Sequence, residues 1–318
     1  MFSLKNRRAL AFSPALIAML AVALPASAAP VSFAINYTFD PSVTAEKRTV
    51  VQATTDETFA RIGSWFDAVD PVSIKVDFNY INQGADLLGS AGPTGFQTRS
   101  GALIPNALDR FLFGAGSTVT EAFDMSVNMN AEASWDFTFG TPAIDTQYNF
   151  AETLYHEGFH SLGFLSTFEQ NGSYGQGTPS VWDNNVQGFI GGEWQAMSAL
   201  SQADRATAMV GGNTLRFNSA DVVAAFGAPV GLYAPATWKD GSSGASHVDF
   251  GQGLVNMEPT GPPGRYSEPT ATEKAMLSSI GWRLAAAPVV VPETGTLALA
   301  MTGLSLVGAV VVRRRRVG

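Results

Sequence analysis

Two of the three histidines in this 318-residue chain stand four positions apart in "YNFAETLYHEGFHSLGF", as His156 and His160, with Glu157 directly after the first. No other feature constrains the fold as strongly. Residues four apart on an α-helix share a face, with Cβ atoms ~5–6 Å apart, so the two imidazoles can close on a single metal ion. Glu157 then points beside the ion and need not ligate it, which leaves its carboxylate able to take a proton from a metal-bound water. The stretch is therefore expected to be helical. Asn149, with Glu152 three positions on, is a capping signature for its start, and Phe150, Leu154 and Gly158 give it an inner side.

Catalytic zinc takes three protein ligands and keeps one position open, so a third donor is required. Gly163 extends the pattern to His-Glu-x-x-His-x-x-Gly. A compact version of that pattern puts a third histidine three residues later, where this chain has Ser166. The remaining histidine, His247, lies 87 positions after His160 (247 − 160) and ten before Met257 (257 − 247), in "GSSGASHVDFGQGLVNMEP". Glu193 is the alternative third donor, at a workable separation but without the helix motif that accompanies such a glutamate. There is no cysteine, which excludes thiolate metal sites, cysteine nucleophiles and disulfides.

"HEGFHSLGF", a long insertion, and then a histidine about ten residues before "VNMEP" resemble the leishmanolysin-like branch of the metzincin zinc peptidases. The stretches "LYAP", "GSSGASH" and "IGW" also resemble a group of secreted bacterial proteins, and the likeness runs from about Asp124 to Trp282. The resemblance implies a metzincin-like zincin in which Zn2+ is held by His156, His160 and His247. It implies Glu157 as general base and a methionine turn under the metal carried by Met257. It also implies an edge strand, Phe123 to Asn130, that pairs with extended substrate backbone by β-augmentation. Tyr266 is a candidate oxyanion donor, and Asp249 a candidate to orient a ligand.

The expected function is an exported zinc-dependent endopeptidase acting on protein or peptide substrates. The alternative is a non-catalytic surface or extracellular-matrix protein that keeps the zinc-binding scaffold. A carbohydrate-binding or adhesive module would instead need an exposed aromatic platform among Trp135, Trp182, Trp194 and Trp238.

Both ends read as processing segments. Residues 1–28 carry Lys5, Arg7 and Arg8, then an apolar run to Leu24, then Ala26 and Ala28, the layout of a secretory signal peptide. Residues 288–318 join Val-Pro-Glu-Thr-Gly to an uncharged run, Thr296 to Val312, that stops at Arg313 to Arg316. Seventeen residues meet the short limit of the ~17–25 that span a bilayer, and the arginines are expected on the cytoplasmic side. This tail resembles a PEP-CTERM sorting signal of Gram-negative bacteria, with Thr294 where that signal has its second proline; the same residue brings it near the sortase-type signal. The resemblance implies export to the cell surface or beyond, a transient anchor in the inner membrane, and an exosortase-like transpeptidase as partner.

Between those segments, residues 29–287 read as one metallopeptidase-like α+β body. An N-terminal lobe of about 29–165 is expected to hold a twisted mixed sheet and long helices, and a C-terminal lobe of about 166–287 to be rich in loops. Residues 31–39 read as a strand and 45–69 as an amphipathic helix with Val51, Phe59, Ile62, Phe66 and Val69 inward. Strict alternation over Val72, Ile74, Val76, Phe78 and Tyr80 marks a half-buried strand. Thr270 or Thr272 caps a last helix that ends at Gly281. Removing the ends takes seven of the 19 basic residues and leaves 12 (19 − 7), so the body is acidic and nucleic acid is not an expected partner.

Overall fold

The computed structural model describes residues 29–286 apart from 86, 143 and 239–243. The signal-peptide and sorting segments lie outside the described residues. Strand β1 (Ser32–Phe39) leads through helix α1 (Ala45–Ser64) to strand β2 (Ser73–Ile81). Strand β3 (Gly89–Pro93), helix α2 (Asn106–Phe113) and strand β4 (Met125–Asn130) follow, and then helix α3 (Phe150–Leu162). The fold is α+β.

The first sheet has the order β1-β2-β4-β3. The pairs β1–β2 and β2–β4 are parallel, with Phe33 opposite Ile74 and Val76 opposite Met125, while β3 runs antiparallel to β4, with Gly89 opposite Met129. Period-two alternation decides which face of β2 is buried. Ile74, Val76, Phe78 and Tyr80 are all buried on the helix-covered side while Ser73 and Lys75 stay exposed. Burying each such side chain is worth about 1.5–3 kcal/mol. Strand β4 repeats the pattern with Met125, Val127 and Met129.

The structure departs from expectation at α1 and at β4. Helix α1 stops at Ser64, short of Val69, which is 76% exposed. Phe66 is buried all the same, because the chain past Trp65 turns into an extended segment whose backbone pairs with Arg283 to Ala285. Strand β4 is not an edge. It lies between β2 and β3, and the edge on that side is β3, a segment of Gly, Ser, Ala and Pro that lacks the apolar alternation by which a strand is recognised.

The 86 residues between His160 and His247 carry a second, antiparallel sheet. Strands β5 (Val186–Ile190), β6 (Glu193–Ala196) and β7 (Leu215–Phe217), helix α4 (Ala220–Phe226) and strand β8 (Val230–Leu232) follow in turn, with sheet order β6-β5-β7-β8. The last helix, α5 (Ala271–Ser279), starts at a reciprocal cap between Thr270 and Glu273, and Gly281 follows at φ +123°. Trp135 and Trp182 are buried, so neither joins a surface platform. Among the described residues no helix is long and apolar enough to cross a membrane.

Candidate metal centre

Helix α3 begins where the Asn149 side chain accepts a hydrogen bond from the Glu152 backbone N–H at 3.0 Å, satisfying one of the free donors of the first turn. It ends at Gly163, whose φ of +109° is left-handed. A Cβ there would also sit 2.8 Å from Pro105 Cγ, so glycine is required twice over. The turn it makes brings the Phe164 carbonyl back beneath the helix, where it accepts from His160 Nδ1 at 2.8 Å.

His156 is held in the same way from another part of the chain, its Nδ1 donating to the Asn256 carbonyl at 2.7 Å. Because both Nδ1 atoms carry the proton, the Nε2 atoms of these neutral rings are bare acceptors. His156 Nε2 and His160 Nε2 lie 3.1 Å apart, and His247 Nε2 lies 3.1 Å from each of them. Two bare lone pairs facing each other at that distance repel, and a cation between the three rings removes the conflict. Three nitrogens ~2.0–2.1 Å from one ion at near-tetrahedral angles are separated by roughly 3.3–3.4 Å, so the observed triangle fits a single metal ion. The three histidines form a group able to hold a metal.

Electrostatics agree with that chemistry. Burial pushes the His156 imidazole down to about 4, against the opposing effect of its Asn256 bond. Burial and the neighbouring His156 push His160 down to about 3. Both are neutral at pH 7, the form that ligates. Burial pushes the Glu157 carboxyl up to about 8, and a cation nearby acts in the opposite direction.

Glu157 stands against the edge strand. A Cβ placed on Gly89 would lie 3.0 Å from Glu157 Oε1 and 3.1 Å from the Asn128 carbonyl. No described residue donates a hydrogen bond to its carboxylate, which faces a cleft of about 470 Å³ together with all three histidines. Leu88 and the β3 residues Gly89 to Ala91 form one wall of that cleft, and the loop 258–262 contributes another part. Arg265 lies in the lining, where its Nε bonds Glu152 Oε1 at 2.6 Å and one terminal nitrogen bonds the Val255 carbonyl at 3.0 Å. This ion pair ties the start of α3 to the 255–265 segment.

The other sequence candidates fall elsewhere. Ser166 is no ligand; its hydroxyl donates to buried Asp183 at 2.7 Å. Glu193 is exposed on β6 and is not one of the grouped metal donors. Met257 is fully buried, and its backbone N–H donates to Glu273 at 3.0 Å. The contact from this turn to the site runs through the carbonyl of its neighbour, Asn256. The Tyr266 hydroxyl donates to Glu268 at 3.1 Å, and Asp249 accepts from the Phe250 N–H at 2.9 Å; neither lines the cleft. Sequence reasoning missed Gly89, and it missed the two carbonyls that fix the histidine rings, because a backbone acceptor has no residue-type signature. No protein-family model matches the chain, and no curated protein matches it.

Proposed function

We propose that this chain is an exported zinc-dependent endopeptidase built on a metzincin-like scaffold, with His156, His160 and His247 as ligands and Glu157 as general base. One observation carries the reading: the Nε2 atoms of three imidazoles converge within 3.1 Å of one another in a cleft that also holds a buried carboxylate to which no described residue donates a hydrogen bond. Zinc bound there supplies a Lewis acid for the scissile carbonyl and lowers the pKa of water toward ~7.

The protein's own groups do the rest. Glu157 accepts the proton of the attacking water and returns it to the leaving amine. Among the described residues no donor engages its carboxylate, which leaves it free to move that proton. Strand β3 pairs with β4 along one side and lines the cleft with the other, so an extended peptide can add to it as a further antiparallel or parallel strand. Export, a transient inner-membrane anchor and an exosortase-like partner belong to the same reading and rest on the two terminal segments.

The test is metal analysis of the full purified chain together with cleavage of a mixed peptide library. About one zinc per chain is expected, with cleavage lost on chelation and restored by zinc. Zinc uptake without any cleavage would favour the non-catalytic scaffold; no uptake would remove the metal reading. Gly89→Ala gives a finer check. The added methyl group makes the Glu157 side chain give by a few tenths of an ångström; where a ~1 Å displacement costs on the order of 10²-fold in rate, a shift of that size should cost about 3- to 5-fold. Hydrolysis should fall by about that factor at unchanged zinc content, measured as kcat/KM on one peptide. An unchanged rate would show that the position of Glu157 is immaterial.

A further inference from the structure

A metal ligand 87 positions away from its partner needs something to aim it. The backbone immediately before His247 is constrained in a way that supplies this. Ala245 is fully buried and adopts φ +58°, the left-handed region that non-glycine residues rarely enter. Such a conformation persists only where the surroundings over-determine it, and three hydrogen bonds do so here. The Trp182 indole N–H donates to the Ala245 carbonyl at 2.9 Å. The Ala245 N–H donates to the Tyr233 carbonyl at 2.9 Å, and the Tyr233 N–H donates to the His247 carbonyl at 2.9 Å.

Trp182 also reaches the other side of the site. Its fully buried ring packs on Phe164 with centroids 4.0 Å apart and on Phe217 at 4.5 Å. Phe164 is the residue whose carbonyl holds His160. One indole thus touches the support of the second histidine and bonds the turn that delivers the third. A parallel link runs beside it. The Ser166 N–H donates to the Ser246 hydroxyl at 2.9 Å, while the Ser166 hydroxyl is anchored on Asp183. Ser166 occupies the position where a compact pattern would place its third histidine; here that position holds the loop that brings one in.

We propose that Trp182 and Ser246 are positioning residues for the metal site, clamping the left-handed turn at Ala245 so that His247 closes the triangle. The inference rests on the reading of the three histidines as a metal site. Its test is a Zn2+ competition titration against a chromophoric chelator, on the full chain and on Trp182→Phe, which keeps an aromatic ring on Phe164 and Phe217 but deletes the N–H donor. Zinc affinity should fall about 10- to 100-fold, the range for groups that orient a ligand. Ser246→Ala should shift it in the same direction, and keeps the idea testable if Trp182→Phe does not fold.

A merely structural role is separated by repeating both substitutions in a His247→Ala background, where a residue acting through His247 has nothing left to aim. There the two variants should leave zinc affinity unchanged. Equal losses with and without His247 would overturn the clamp. If the native chain takes up Zn2+ and both variants bind it as tightly, the clamp fails while the metal site stands; if the native chain takes up none, both fall.

Discussion

Glu157→Gln is expected to keep its zinc and lose the reaction, with peptide hydrolysis falling by about 10²–10⁴-fold, the usual contribution of a positioned proton acceptor. Glutamine has nearly the same shape, so the contact with Gly89 and the packing between α3 and β3 persist. What disappears is the ability to accept and return a proton. The distinction from a packing effect is sharp, because the carboxylate takes no hydrogen bond from any described residue and its loss breaks none. Zinc content and the thermal transition should match those of the native chain, while initial rates on a fluorogenic peptide collapse. A variant that kept a tenth of the native rate would exclude Glu157 as the base.

His247→Ala should do the reverse, acting first on the metal. Apparent binding energies of ~10–16 kcal/mol for four-ligand zinc sites correspond to ~2.5–4 kcal/mol per ligand, so affinity should drop by roughly 10²–10³-fold. His156 and His160 stay in place, since their Nδ1 bonds go to Asn256 and Phe164 and not to His247. Residual two-ligand binding is therefore expected, and activity should recover only partly at high zinc. Stability should respond too: a ligand at ~1,000 times its Kd adds ~4 kcal/mol to the native state, so the native chain loses more on chelation than the variant does. Isothermal titration with Zn2+, combined with melting curves with and without chelator, reads both effects. Native-like affinity without His247 would return the third position to another donor.

The parts of the site that were legible in the sequence are the local ones. His156, Glu157 and His160 lie within five residues on one helix, and Asn149 and Glu152 mark where that helix begins. Capping and i,i+4 geometry depend on neighbours in the chain, so they can be read along it. The alternation of β2 and β4 was readable for the same reason. Their rank in the sheet was not. Strand β4 has the apolar face of a buried strand, and nothing within it states that Gly89–Pro93 lies outside it. The end of α1 was overrun because Phe66 continues the helical spacing while being buried by contacts distant in the chain, its ring tilted against that of Trp282 with centroids 4.7 Å apart.

By itself, then, the sequence determined the chemistry on offer: a cysteine-free acidic body, two imidazoles and a carboxylate on one helical turn, and a single further histidine. The tertiary structure decided which of these meet. It brought His247 within 3.1 Å of both partners, left Glu193 on an exposed strand, and set Gly89 against Glu157. The physical reason is that helix periodicity and caps are fixed by interactions a few residues long. Closing an 86-residue loop onto a point is paid for by a second sheet, a strained turn and a buried indole, none of which has a local signature.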